Sequence, residues 1–138
     1  MTLRAAAVTL LALLLAGCST TTSKLPDAMR NRLESEGIVR RDDDETFRVT
    51  TGTARRHWEE GRASLVVTRH TVLVHKNERV LLEITAANAA RWRVRRDHDR
   101  VSIASEGAGA RSWSFHPKDG DAEGWARDLR AAMQAAAG

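Results

Sequence analysis

The chain reads as an α+β protein, mostly β: seven antiparallel strands closed by a C-terminal helix and preceded by a short one. Three observations predict this. From Phe47 onward, apolar residues recur at period two, in segments of strand length. Turn-forming residues divide those segments at hairpin spacing. Beyond Pro117 the period becomes helical again, with Trp125, Leu129 and Met133 each four residues apart.

The N-terminus comes first. Met1 to Arg4 give a short basic start, and Ala5 to Leu15 an apolar run too short to span a bilayer stably. Ser19 to Ser23 are polar and of low complexity, as in a flexible tether over residues 18–24. Pro26 suits the first turn of a short helix and Gly37 the position just past its end. Leu25, Met29 and Leu33, at spacing four, predict one narrow apolar stripe that docks on the domain. The run from Arg40 to Glu45 reads as a charged, solvated link without a metal site. Residues 25–44 are thus expected to be helix plus link, and residues 45–137 the folded domain.

Within that domain, strands are expected over 63–68 and 71–76, separated by Arg69-His70, and over 79–84 after Asn77-Glu78. An alanine-rich link over 85–90 leads to a strand over 91–96. Asp97-His98-Asp99 turns the chain into a strand over 100–105, and residues 106–110 turn it into one over 111–116. Alternation is clearest in these last three. Trp92 and Val94 oppose Arg91, Arg93 and Arg95; Val101 and Ile103 oppose Arg100 and Ser102; Trp113 and Phe115 oppose Ser112 and Ser114. One face is buried and the other wet, as in an antiparallel meander. Pro117 ends the ladder. Asp119 or Asp121 caps the closing helix, Glu123 suits its first turn, and Arg127 and Arg130 lie off its apolar stripe.

Two resemblances extend this reading. Leu15-Ala16-Gly17-Cys18 resembles the lipobox of bacterial lipoproteins. The resemblance implies removal of residues 1–17 and attachment of diacylglycerol to Cys18. Cys18 is also the sole cysteine, so no intrachain disulfide forms. Ser19, in place of the aspartate that retains such proteins at the inner membrane, implies the periplasmic face of the outer membrane, or the cell membrane where there is only one. The second resemblance covers about residues 45–137. Seven strands and a terminal helix follow the order of pleckstrin-homology-like domains, including bacterial and GRAM-type members. Leu65-Val66-Val67-Thr68-Arg69 with Val72-Leu73-Val74, then Leu81-Leu82-Glu83-Ile84, and Trp125 in the closing helix are similar to that family's text. The resemblance implies a seven-stranded barrel with Trp125 plugging one mouth. Inositol-lipid recognition is not carried over. The expected basic loop reads Arg55-Arg56-His57-Trp58-Glu59-Glu60-Gly61-Arg62, where glutamates offset arginines.

Composition narrows the partners. The 138 residues carry a formal charge of +4, which becomes +3 in the 121 residues left after loss of the first 17. An exported chain meets little nucleic acid, so anionic lipid, lipopolysaccharide or an acidic protein surface is the expected counter-charge. Catalysis has no candidate residues: no glycine-framed nucleophile and no phosphate loop is present, and Cys18 is committed to lipid. Asp119-Gly120-Asp121-Ala122-Glu123-Gly124 mimics the start of a calcium loop, but Arg130 stands where that loop needs glutamate. His57, His70, His75, His98 and His116 lack zinc spacing, and His75 is expected to face water. No metal and no cofactor is implied.

Two features remain as binding candidates. Arg91, Arg93, Arg95 and Arg100 project from the wet faces of two neighbouring strands; they form either a solvated face offset by Glu83 and Asp97, or a dock for phosphate or carboxylate. Trp58 is either barrel packing or an exposed contact residue. The function expected is that of a membrane-anchored, non-enzymatic module that binds or scaffolds an envelope protein or an anionic glycolipid. The alternatives are an assembly accessory of an envelope complex and, with no nucleophile to support it, a small periplasmic hydrolase.

Overall fold

The computed structural model describes residues 25–52, 56–107 and 109–138. A helix, α1 (Asp27–Glu36), leads into the strands β1 (Ile38–Thr51), β2 (Arg56–Thr68), β3 (Val72–Lys76) and β4 (Arg79–Ile84). A 3-10 turn (Ala89–Arg91) introduces β5 (Trp92–Asp97), β6 (Arg100–Ser105) and β7 (Arg111–Phe115), and α2 (Ala122–Ala137) ends the chain. The seven strands form one antiparallel sheet in the order β4-β3-β2-β1-β7-β6-β5, curled into a half-barrel. The expected fold class is the observed one.

The concave side holds the main core. Phe47 and Val49 of β1, Leu65 and Val67 of β2, Val72 and Val74 of β3, Ile103 of β6, and Trp113 and Phe115 of β7 meet Trp125, Ala126, Leu129 and Met133 of α2 there. Phe47 lies edge-on to Trp113 at 5.8 Å, and Phe115 edge-on to Trp125 at the same distance. Trp125 is 3% exposed and donates its Nε1–H to Asp119 at 3.2 Å. Residues of one face must share the same inward direction, which is why every second residue of β6 and β7 belongs to this core.

A second, smaller cluster lies on the convex side. Leu25 and Leu33, with Met29 against them, cover Val66 and Leu73. The α1 stripe therefore docks on the domain, as its spacing predicts. It also accounts for the unbroken apolar runs of β2 and β3. Both of their faces are covered, so alternation disappears.

Three expectations need correction. The run from Arg40 to Glu45 is not a solvated link but the first half of β1, paired with β2 through Arg40↔Val67, Arg41↔Val66 and Asp42↔Leu65. The sheet consequently starts at Ile38 rather than at residue 45. Register shifts between Asp42 and Glu45, and again between Glu45 and Phe47, break the period that would have revealed a strand. His75 does not face water: it is fully buried, and its Nδ1–H donates to the Asn77 carbonyl at 2.9 Å. Burial lowers its pKa, against the raising effects of that carbonyl and of Asp43. Arg91, finally, closes the 3-10 turn rather than opening β5.

Arg40 has a role that the sequence did not suggest. Its guanidinium reaches the start of α2, where it meets Asp121 at 2.8 Å, Asp119 at 3.7 Å and Asp128, and lies 5.3 Å from the centre of the Trp125 ring. Asp121 caps α2 by accepting the Gly124 N–H at 3.0 Å. Its carboxyl is held below the usual carboxylate range, first by Arg40 and then by that N–H. The acids that mimic a calcium loop are thus a helix cap with an arginine counter-ion.

Candidate functional site

The open half of the convex face is built by β1, β7, β6 and β5. Residues directly opposite in a sheet share a face, so the register defines rows across it. One row runs Arg95, Ser102, Ser114, Arg48. The next runs Arg93, Ala104, Ser112, Thr50. Beyond the first row, Asp97 faces Arg100. The opposite face of the same strands carries Val94, Ile103, Trp113 and Val49, the last three buried, and this fixes the arginine rows outward.

The arginines differ in how they are held. Arg100 donates to Asp97 at 3.3 Å. Arg93 donates to the carbonyls of Ala90 and Trp92, both at 3.0 Å. Glu83, named above as an offsetting acid, is bound to Arg32 of α1 at 2.9 Å and stands away from the stripe. Among the described residues, Arg48, Arg91, Arg93 and Arg95 have no carboxylate within ion-pair distance, although Glu59 of β2 stands opposite Arg48 in the register. All four are exposed.

Between the arginines the surface is small and polar. Ser102, Ala104, Ser112, Ser114 and Thr50 are half-buried. Ser114 donates to the Arg48 carbonyl at 3.4 Å. The strip continues into a recess of about 620 Å³, whose lining includes Thr50, Ala104, Ser112, Gly107, Gly109 and Arg111. A second recess of about 340 Å³ lies between β5 and α2, lined by Trp92, Val94 and Met133 with Arg93 and Arg130 among its polar residues. The Arg130 guanidinium donates there to the Val94 carbonyl at 3.4 Å.

The structure brings together Arg93, Arg95 and Arg100 of the residues singled out in the sequence, with Arg91 beside them on its turn. Trp58 is elsewhere. It sits on β2 opposite Val49, on the inward-directed side of the sheet, 38% exposed, and donates its Nε1–H to Glu60 at 3.1 Å. It belongs neither to the packed core nor to the arginine face. Arg48 and the serine strip were missed. The alternation already placed the serines on the wet face, but nothing local says that β1 and β7 are neighbours. Cys18 lies outside the described residues. Among those described, no group of three or more His, Cys, Asp and Glu is placed to hold a metal ion, and no helix is long and apolar enough to cross a membrane.

The fold and this face define a small β-rich domain with an arginine-bearing sheet surface. No known family model matches the chain, and no curated protein matches it.

Proposed function

We propose that the chain is a lipid-anchored envelope protein and acts there as a non-enzymatic binding module for an anionic partner. The observation that carries this reading is the set of exposed guanidiniums on β5 and its preceding turn, which have no carboxylate within ion-pair distance because Asp97, the acid on the same face of β5, is engaged by Arg100. Like charges held a few ångströms apart repel, and an anionic partner offsets that repulsion. Lipobox resemblance supplies the anchor, with Cys18 as the acylated residue and the periplasmic face of the outer membrane as the location. Two acyl chains hold a protein firmly where one is marginal.

Two measurements test the proposal separately. Cys18→Ser is expected to abolish lipid incorporation and release the protein from the membrane fraction; unchanged fractionation would remove the anchor. The Arg91→Gln, Arg93→Gln, Arg95→Gln triple variant of the soluble domain is expected to keep its fold. Its retention on envelope extracts should fall and lose salt dependence. Equal retention of variant and wild type at every salt concentration would reduce the stripe to a solvated surface.

A further inference from the structure

We infer that the partner of the arginine face is a phosphate-bearing glycan, which lies across the serine strip with its phosphates on the flanking arginines. The inference rests on the reading of this face as an anion dock and names the chemistry of its ligand. Three features of the strip select a sugar phosphate over an acidic protein.

Spacing is the first. Arg95 and Arg48 end a row three strand-to-strand steps wide, so their Cα atoms stand about 14 Å apart. Ser102 and Ser114 fill the interval. Arg95 on one side, and on the other Arg48, which has Glu59 opposite it in the register but outside ion-pair distance, border a low polar floor that fits a short oligosaccharide charged at both ends. A single anion would engage one border only.

Hydrogen-bonding capacity is the second. Ser102 and Ser112 are half-exposed, and no hydrogen bond to either hydroxyl is formed among the described residues. Each hydroxyl both donates and accepts, as sugar hydroxyls do. The recess adjoining the second row, about 620 Å³ and floored by Thr50, Ala104 and Ser112, lies within the size range of small-ligand sites.

The third feature is the lack of apolar anchors. Protein interfaces draw most of their affinity from a few buried aromatic or large side chains. Among the described residues, the exposed large hydrophobic residues are Ile38, Val39, Trp58 and Val80, and none belongs to the rows.

The test uses the soluble domain and three immobilised probes across a salt series. These are a deacylated, phosphate-bearing lipopolysaccharide core oligosaccharide, the same oligosaccharide after dephosphorylation, and poly-L-glutamate of matched charge. Phosphorylated oligosaccharide is expected to bind at least about tenfold more tightly than either of the others, as for loss of one charge-assisted hydrogen bond or more. Arg48→Gln, outside the stripe first identified, should weaken that binding about tenfold. Ser102→Ala with Ser112→Ala should weaken it several-fold while leaving poly-L-glutamate binding unchanged. Circular dichroism verifies that each variant keeps its fold. Equal binding of poly-L-glutamate and phosphorylated oligosaccharide would overturn the glycan while sparing the anion dock. Absence of binding to all three probes would overturn both.

Discussion

Glu45 is the residue whose chemistry departs furthest from its ordinary state. It lies on the concave side of β1, 3% exposed, with Oε1 accepting the Thr46 N–H at 3.1 Å and Oε2 without a partner. Burial, and next the neighbouring Asp42 carboxyl, push its pKa up from 4.5 to about 8, with the Thr46 N–H and then Lys118 opposing them. Below pH 4.5 the folded and unfolded chains both carry this proton, and Glu45 then adds nothing to the pH dependence. Between 4.5 and 8 the unfolded chain releases the proton while the folded chain keeps it. Stability therefore falls as pH rises through this window and levels off above it. Urea midpoints measured from pH 5 to 9 should show that decline, and Glu45→Gln, a neutral isostere, should flatten it. Buried His75, whose pKa is lowered, contributes the opposite slope below about pH 6.5, so the comparison with the variant decides: superimposable profiles of wild type and Glu45→Gln would mean that Glu45 is ionised in the fold. Trp125 gives a second prediction at this scale. It fills the concave core against Phe115, lies under Arg40 and donates to Asp119, so Trp125→Ala should cost about 3–5 kcal/mol. A melting temperature within a degree or two of wild type would contradict its burial.

At the scale of elements, the first half of β1 shows where local sequence stops being informative. Period two revealed β5, β6 and β7 because one face of each is buried and the other wet. Arg40 to Glu45 offered no such period: three register shifts lie in or beside it, and its inward residues Arg40, Asp42 and Glu45 are charged. The segment is held by its ladder with β2 and, through Arg40, by acids some eighty residues later, and no local pattern encodes either pairing. The candidate face was legible to the same degree. Its arginines and serines could be assigned to the wet side from alternation, whereas their arrangement in rows depends on β7 pairing with β1. Gly124 tests the cluster. Within a helix interior alanine outranks glycine by about 1 kcal/mol, and on propensity alone alanine would be favoured at position 124 as well. Here a Cβ would overlap both the Asp121 carboxylate and the Arg40 guanidinium. Gly124→Ala is therefore expected to destabilise the protein by about 1–3 kcal/mol rather than stabilise it. A gain in the thermal midpoint would show that α2 starts independently of Arg40.

For the whole molecule, the two clusters divide the sheet into a body and a strap. The body is the concave core shared by all seven strands and α2, and its long-range antiparallel contacts make it one cooperative unit. The strap is α1 with the preceding Leu25; it touches the sheet through Leu25, Met29 and Leu33 and is fastened at its end by the Thr68 hydroxyl donating to Glu36 at 2.7 Å and by Arg32 to Glu83. It also fixes where the chain enters the domain from its N-terminal side. If Cys18 carries the proposed lipid anchor, any pull from the membrane reaches the domain through this contact first. Leu33 is 1% exposed, and truncating it removes the largest part of that contact. Leu33→Ala should weaken the docking of α1 by about 2–4 kcal/mol. Because Val66 and Leu73 lie in a cluster separate from the concave core, the strap should open before the body unfolds. Native-state hydrogen exchange can follow both. In Leu33→Ala the amides of α1 should exchange at least about tenfold faster, as a loss of that size requires. The amides of β6 and β7 should slow or quicken only with global stability. Equal acceleration of α1, β6 and β7 would show one cooperative unit instead, with α1 as much a part of the barrel as any strand.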